Sequence, residues 1–196
     1  MSSTPYGPDT AVVVVDVQVD FGDPSGSLYV AAGEQIVEPI NALTQQVQDA
    51  GGKAYFTQDW HPRETPHFVD QGGIWPPHCV AGTPGAELLD DLVVRGPVVR
   101  KGVDGRDGYS GFSVRDPTTG ETESTVLGGL LQRDGVRRVL VVGLAGDYCV
   151  VETALDAAAL GYEVEMPLSL TRFVDLEEGD DDKAVARARA AGVRVR

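Results

Sequence analysis

The sequence predicts an α/β protein, with a mostly parallel six-stranded sheet between two layers of helices in a Rossmann-like, three-layer α/β/α arrangement. Two observations lead to this prediction. Short apolar runs rich in Val alternate along the chain with longer segments of helical periodicity. These runs are apolar almost throughout, as in strands that are buried on both faces of a parallel sheet. The length suits one domain, for which we expect the range 1–196 with 1–10 as a loose N-terminal extension.

Six segments have the pattern of strands. The first, residues 11–17, is a β-branched run that is interrupted only by Asp16. The others are residues 53–57, 97–100, 137–142 and 162–166, and a last short strand at 193–195. Ligand sites in open parallel sheets lie beyond the C-terminal ends of the strands. Polar residues that end or follow these segments are therefore the first candidates for function.

Helical periodicity indicates four helices. The first begins no earlier than about Gln35, because Pro39 is tolerated only near a helix start, and it ends at Gly51-Gly52. The remaining three are residues 125–131, an Ala-rich run at 150–160 with Asp147 as its expected N-cap, and a segment from 180 to Gly192. The last of these has acidic residues at its start and arginines near its end, as the helix dipole favours.

Composition excludes several classes of partner. The formal net charge is -14, from 16 basic and 30 acidic residues. The basic residues are not clustered, so neither nucleic acid nor an anionic membrane is an expected partner. Two cysteines do not make a disulfide framework. Neither a signal-peptide pattern nor a membrane-spanning apolar run is visible, and we therefore expect a cytoplasmic protein.

The strongest candidate nucleophile is Cys149. The stretch 139–150 has the pattern of a buried strand that ends at Gly143 and is followed by a tight turn into a helix. Cys149 then falls in the first helical turn, where free backbone N–H groups and the helix dipole favour a thiolate. The alternative, a free cysteine that simply packs in the core, is equally compatible with this stretch.

Four polar residues lie at or just past the C-terminal end of a predicted strand: Asp16, Asp59, Lys101 and Cys149. Lysine is scarce in this chain, with three lysines against thirteen arginines. A lysine at a strand end, flanked by glycine, is therefore a candidate for a role that needs a compact ammonium group. An ordinary surface lysine is an equal alternative from position alone.

All three histidines lie in one long irregular segment, residues 58–85. Asp59 and His61 are two residues apart in extended backbone, so their side chains can point the same way. With a second imidazole from the same loop they form a set suited to Zn²⁺, Fe²⁺ or Mn²⁺. Cys79 adjoins His78, and we interpret it as a packing residue. Lone histidines more often have structural or surface roles, but the clustering of all three beside an aspartate favours a metal site.

Five motifs occur along the chain: Val-Asp16-Val-Gln-Val-Asp20-Phe21, Asp59-Trp-His61, Trp75-Pro-Pro-His78-Cys, Arg-Lys101-Gly and Gly143-Leu-Ala-Gly-Asp147-Tyr-Cys149-Val. Together and in this order, they resemble the isochorismatase-like cysteine hydrolases, and within them the nicotinamidase (pyrazinamidase) branch. The resemblance extends from Val12 to about Thr171. Each motif alone is weakly specific, but five in the family's order support the resemblance strongly.

The resemblance implies a catalytic triad: Asp16, Lys101 and Cys149. It also implies a cis peptide bond between Leu144 and Ala145. We expect the backbone N–H groups of Ala145 and Cys149 to form an oxyanion hole. The sequence departs from the family pattern at Val19, where the family often has Asn, and at Gly146, where it often has Thr or Ser.

The resemblance further implies one divalent metal ion as cofactor, Zn, Fe or Mn. Its ligands would be Asp59, His61 and His78, with His67 as a further ligand that only some members use. We expect the metal to hold the ring nitrogen of the substrate and so to orient it. The expected walls of the substrate site are aromatic: Phe21, Trp75 and Tyr109. Plain core packing is the alternative for Phe21 and Trp75.

The implied activity is hydrolysis of nicotinamide, or of pyrazinamide-like analogues, to the acid and ammonia, a reaction of NAD salvage. Cys149 would form a thioester, with Lys101 stabilising its thiolate and Asp16 delivering the proton to the departing ammonia. Two alternatives stay open: another amidohydrolase of the superfamily that acts on a carbamoyl or ureido substrate, and a non-catalytic metal-binding module. The expected partner is a small-molecule substrate, and a homo-oligomer is compatible with the resemblance.

Overall fold

Eight β-strands are present in residues 6–196, the part of the chain that this computed structural model describes. They are β1 (Thr10–Val15), β2 (Lys53–Asp59), β3 (Val98–Lys101), β4 (Ser113–Arg115), β5 (Thr122–Ser124), β6 (Arg138–Gly143), β7 (Glu163–Met166) and β8 (Arg194–Val195). Six of them form one parallel sheet in the order β3-β2-β1-β6-β7-β8. The other two, β4 and β5, form a separate antiparallel ribbon that was not predicted. The six-stranded parallel sheet is confirmed.

Helices connect the strands on both sides of the sheet. They are α1 (Val19–Gly22), α2 (Val37–Asp49), α3 (Leu127–Arg133), α4 (Val151–Ala159) and α5 (Asp180–Ala190). A 3₁₀ turn, Gly33–Ile36, leads into α2, and a π-helical turn, Gly146–Val150, leads into α4. The four predicted helices are present, and α1 is additional. None of the helices in residues 6–196 has both the length and the apolar character needed to cross a membrane.

The core has one apolar layer on each face of the sheet. Alternate residues of β1 point to opposite faces, so that Val13 and Val15 belong to one buried cluster and Val12 and Val14 to the other. The first cluster includes residues of α3, α4 and α5, and the second includes residues of α2. This arrangement is the three-layer α/β/α architecture that the buried strands predicted.

The first strand differs from its predicted bounds at both ends. It begins at Thr10, which the expected N-terminal extension, 1–10, had included; residues 1–5 of that extension lie outside the described residues. The strand ends at Val15, two residues earlier than predicted, because Asp16 has a φ of 49°. A residue in this left-handed conformation cannot continue a strand. The chain therefore leaves the sheet at the first candidate catalytic residue.

The register of the sheet brings the ends of four strands to one edge. Val15 pairs with Gly143, and Asp59 pairs with Lys101. Gly143 has a φ of 119°, and a Cβ atom there would lie 2.2 Å from the carbonyl oxygen of Val15, so glycine is required. The polar residues that end β2 and β3 therefore lie beside the segments that follow β1 and β6.

Candidate active site and metal centre

Cys149 lies in the π-helical turn that joins β6 to α4. Ala145 has extended backbone just before this turn, and its carbonyl oxygen accepts a hydrogen bond from the N–H of Val150 at 3.0 Å. The Leu144–Ala145 peptide bond is cis, as the resemblance implied. The Cys149 residue is only 6% exposed, but it lines a pocket at the C-terminal edge of the sheet. A small ligand in this pocket can therefore reach it.

Asp147 is not the N-cap of the following helix, and that prediction was wrong. The π-helical turn begins at Gly146, so Asp147 is inside the turn rather than in front of it. Its two carboxylate oxygens instead accept hydrogen bonds from the N–H groups of Val174 and Asp175, at 3.0 and 2.8 Å. Asp147 thus ties the turn that carries Cys149 to the segment that precedes α5.

Lys101 is the centre of a buried cluster of charged groups. Its Nζ lies 2.9 Å from Oδ2 of Asp16, and it donates a hydrogen bond to Oδ1 of Asp59. The same nitrogen lies 3.6 Å from Sγ of Cys149 and 3.2 Å from the carbonyl oxygen of Gly108. The Lys101 side chain is fully buried, which excludes an ordinary surface role. Its ammonium group brings together the three residues of the predicted triad.

Two carboxylates and one ammonium group set the protonation states of this cluster. Burial by itself raises the pKa of Asp59, but Lys101 and His61 outweigh burial and hold that pKa well below its usual range. Burial raises the pKa of Asp16, and the charge of Asp59 adds to this effect. Burial opposes the charged form of Lys101, yet Asp16 and Asp59 together lift its pKa well above the usual value. The cluster therefore holds an ammonium ion between an ionised Asp59 and a more basic Asp16.

The pKa of Cys149 is raised well above that of an ordinary thiol. The sequence predicted a stabilised thiolate, which requires a lowered pKa. Burial is the main cause, Lys101 opposes it, and the charges of Asp16 and Asp59 reinforce it. Each of these carboxylates places an oxygen within 4.8 Å of the sulfur. The ammonium of Lys101 and the helix start favour a thiolate, but the two carboxylates already balance the charge of the ammonium. Burial and the two carboxylates therefore favour the thiol form of the Cys149 side chain.

Two buried polar side chains that were not predicted hold the carboxylates in place. Thr57 donates a hydrogen bond to Oδ1 of Asp16 at 2.6 Å. The side-chain amide of Gln18 accepts from the N–H of Asp59 and donates to the carbonyl oxygen of Asp59, both at 2.8 Å. Thr57 and Gln18 are both fully buried. A signal was available in the sequence, because both are uncharged polar residues next to apolar strand segments.

The three histidines converge on one another beside this cluster. Each offers a ring nitrogen, and these nitrogens all lie within 4.8 Å of one another. Nδ1 of His78 lies 2.8 Å from the carbonyl oxygen of Pro76, and Nδ1 of His67 lies 3.0 Å from Oδ1 of Asp107. These contacts leave Nε2 of both rings free to donate an electron pair. Burial lowers the pKa of His78 to about 4, so this ring is neutral near pH 7.

His61 shows most clearly that a metal ion fits this site. Both of its ring nitrogens are buried and lack a hydrogen-bond partner among the described residues, and such atoms normally have one. Its Nε2 lies 3.7 Å from Oδ2 of Asp59. A Cβ atom at Gly102 would come within 2.7 Å of Nδ1, so only glycine allows the ring to pack there. Imidazoles with one carboxylate are a donor set for Zn²⁺, Fe²⁺ or Mn²⁺, whereas Cys79 packs in the buried apolar core, as predicted.

Cys149 lines one pocket together with Asp59 and two of the three histidines, His67 and His78. The three predicted wall residues all line it: Phe21, Trp75 and Tyr109. Nε1 of Trp75 donates a hydrogen bond to the hydroxyl of Tyr109 at 2.9 Å. Four apolar or aromatic lining residues were not predicted: Leu28, Val30, Tyr148 and Val174. Nothing in their sequence pattern separates them from ordinary core residues.

Residues 10–196 match the family model of the isochorismatase domain. The chain belongs to this family. This isochorismatase-domain protein is 33% identical over 206 residues to the nicotinamidase of Escherichia coli, covering 96% of this chain and 94% of the relative. Among solved structures, PnC1 from L. infantum in complex with nicotinate has a TM-score of 0.90 and 38% identity, covering 98% of this chain and 95% of that chain. The pyrazinamidase of Pyrococcus horikoshii in complex with zinc has a TM-score of 0.85 and 34% identity, covering 96% of this chain and 99% of that chain.

Proposed function

We propose that this protein is a nicotinamidase, which hydrolyses nicotinamide to nicotinate and ammonia. The observation that carries the proposal is the pocket that Cys149 shares with His67 and His78, with the ammonium of Lys101 only 3.6 Å from the sulfur. A flat aromatic amide needs a nucleophile for its carboxamide and separate groups that recognise its ring. Similarity to nicotinamidases over nearly the whole chain supports this substrate class.

Asp16 is the proton carrier in the proposed reaction. Its raised pKa suits a group that accepts and returns a proton, and Lys101 lies 2.9 Å from its carboxylate. In the first step Asp16 takes the thiol proton while the sulfur of Cys149 attacks the carboxamide carbon and the C–S bond forms. The C–N bond then breaks, and ammonia leaves with the proton that Asp16 returns. Water that Asp16 deprotonates cleaves the thioester, which releases the acid and restores the thiol.

Lys101 and two backbone N–H groups are proposed to stabilise negative charge as it develops. The ammonium of Lys101 faces the sulfur, where charge appears when the thiol proton is removed. The N–H groups of Ala145 and Cys149 would bind the oxygen of the tetrahedral intermediate, and both residues line the pocket. Loss of one such donor in other enzymes costs about 2.7–4 kcal/mol of transition-state stabilisation.

A divalent cation, Zn, Fe or Mn, would be held by one carboxylate and three imidazoles: Asp59, His61, His67 and His78. When bound, the cation supplies a Lewis-acid contact for the ring nitrogen of the substrate. His78 is a neutral donor, because burial keeps this ring unprotonated near pH 7 and the carbonyl oxygen of Pro76 binds its Nδ1. Asp59 stays ionised and balances part of the positive charge.

Aromatic side chains are proposed to bind the ring of the substrate. The hydrogen bond to Tyr109 fixes Trp75, and Tyr148 packs edge-on against Trp75 with 5.0 Å between ring centroids. Phe21 packs against His78 with 5.4 Å between centroids. These side chains offer apolar surface for stacking while the polar groups of the pocket fix orientation.

The two alternative functions have less support from this site. A carbamoyl or ureido amidohydrolase needs the Cys149 cluster, but it does not need three converging buried imidazoles. A non-catalytic metal-binding module does not need a thiol beside a buried ammonium group. Both cysteines are free, which suits the reducing cytoplasm as the proposed compartment. A homo-oligomer stays a prediction.

Ammonia release from nicotinamide by the purified protein tests the proposal. We expect turnover that saturates with nicotinamide and yields one nicotinate for each ammonia. Cys149→Ala should abolish turnover while the circular dichroism spectrum and the metal content stay unchanged. Faster hydrolysis of a carbamoyl or ureido compound than of nicotinamide would contradict the proposed substrate. Undiminished activity of Cys149→Ala would contradict the proposed nucleophile.

A further inference from the structure

Asp107 is a half-exposed residue in the connection between β3 and β4. Its backbone forms two hydrogen bonds with the backbone of Arg115. The N–H of Asp107 donates to the carbonyl oxygen of Arg115 at 2.7 Å, and the N–H of Arg115 donates back at 2.5 Å. This reciprocal pair anchors residue 107 to the end of the β4–β5 ribbon. The carboxylate therefore projects from a fixed point of the backbone.

The carboxylate of Asp107 contacts one ring of the histidine cluster. Its Oδ1 lies 3.0 Å from Nδ1 of His67, whose side chain is only 6% exposed. A carboxylate accepts hydrogen bonds and cannot donate them, so this contact requires the proton of the neutral ring to be on Nδ1. The lone pair is then on Nε2, the nitrogen that remains for the cluster with His61 and His78.

We propose that Asp107 is a positioning residue for the metal centre: it fixes the tautomer and the orientation of His67 and so makes this histidine a ligand. The inference rests on the metal site of the proposed function. His78 is held in the comparable way by a backbone carbonyl oxygen, that of Pro76, whereas for His67 the acceptor is a side chain. Carboxylates that orient a metal-binding histidine raise its basicity and its affinity for the metal.

The neighbours of Asp107 make the proposed effect separable from the rest of the site. The carbonyl oxygen of Gly108 lies 3.2 Å from Nζ of Lys101, and the hydroxyl of Tyr109 accepts a hydrogen bond from Trp75. These contacts use atoms of residues 108 and 109, so a substitution that removes only the carboxylate of Asp107 leaves them in place. We therefore expect the loss to appear in metal binding and not in the thiol cluster.

Titration of metal-free protein with Zn²⁺ against a chromophoric chelator tests the inference without any substrate. We expect Asp107→Ala to weaken Zn²⁺ binding about 10–100-fold, the range that loss of a residue orienting a metal ligand costs. Asp104→Ala is the matched control, because it removes an exposed carboxylate of the same loop, whereas the carboxylate that lies against His67 is that of Asp107. This control should bind Zn²⁺ as the parent protein does. Because the readout is Zn²⁺ affinity, its outcome is independent of whether nicotinamide is the substrate.

A double-variant comparison decides whether Asp107 acts through His67. In a His67→Ala background, adding Asp107→Ala should cause no further loss of Zn²⁺ affinity. An equal loss in both backgrounds, or an Asp107→Ala affinity equal to that of Asp104→Ala, would overturn the inference. Should Asp107→Ala fail to fold, Asp107→Asn replaces it, because asparagine keeps the size of the side chain and an acceptor oxygen. The loss of Zn²⁺ affinity in Asp107→Asn is expected to be smaller than in Asp107→Ala, and it must likewise disappear in the His67→Ala background.

Discussion

Asp59 and Lys101 are register partners at the ends of adjacent parallel strands, and Oδ1 of Asp59 accepts a hydrogen bond from Nζ of Lys101. The other carboxylate oxygen of Asp59 lies 3.7 Å from Nε2 of His61. One side chain therefore faces both the ammonium group beside the thiol and the histidine cluster. Because the two groups of residues share Asp59, a change at Asp59 itself affects both of them.

Asp16→Asn should remove the proposed proton carrier with little change in shape. We expect kcat to fall about 10²–10⁴-fold, because the asparagine side chain cannot take the thiol proton or return one to ammonia. The affinity for nicotinamide should stay within a factor of two or so, since Asp16 is not among the residues that line the pocket. Asp104→Asn, at an exposed position, is the control and should keep full turnover. Steady-state kinetics that show an unchanged kcat for Asp16→Asn would reject this role.

Lys101→Met should destabilise the fold as well as abolish activity. The substitution leaves the carboxylates of Asp16 and Asp59 buried without their counterion, a change that costs about 3–5 kcal/mol of unfolding free energy in buried ion pairs. Urea denaturation at pH 7 measures this cost. The control is Lys53→Met at the exposed start of β2, which should change stability by less than about 0.5 kcal/mol. Equal free energies of unfolding of the two variants would show that the buried ammonium of Lys101 does not stabilise the fold.

Removal of the metal with a chelator should weaken nicotinamide binding without unfolding the protein. We expect at least a tenfold loss of affinity, or roughly 1.4 kcal/mol, because the ring nitrogen loses its Lewis-acid contact. Calorimetry on Cys149→Ala, which cannot turn the substrate over, measures binding alone. Benzamide, which has no ring nitrogen, is the matched ligand and should bind equally with and without metal. A chelator effect of the same size on both ligands would argue against recognition of the ring nitrogen.

The alkylation rate of Cys149 should keep rising with pH beyond the range of an ordinary thiol. Burial and two nearby carboxylates raise the pKa of this thiol, and a raised pKa means that the reactive thiolate is scarce below it. In metal-free protein we expect the iodoacetamide rate to increase about tenfold per pH unit up to at least about pH 9. Cys149→Ala gives the background from Cys79, whose pKa burial also raises. A plateau below about pH 8 would instead support the thiolate that the helix start predicts.

Local patterns were enough to predict most of the architecture. Apolar runs and helical spacing depend on neighbouring residues alone, and they identified the six strands of the parallel sheet and the four longer helices. The ribbon of β4 and β5 was missed, because its strands have three residues each and the second is fully exposed. The early end of β1 was missed as well, because the left-handed conformation of Asp16 is not visible in an apolar run.

The candidate site, like the fold, was predicted from the sequence only in part. The sequence alone identified the residues whose chemistry matters, since Asp16, Lys101, Cys149 and the three histidines follow strand ends or share one loop. Only the tertiary structure decided which of them are in contact and in what state of protonation. Thr57 donates a hydrogen bond to Asp16, which is 41 residues away in sequence. Burial and two carboxylates raise the pKa of Cys149, whereas the helix start alone favours a lower one. The physical reason is that the pKa of a buried group depends on desolvation and on the sum of nearby charges, and residues far apart in sequence supply both.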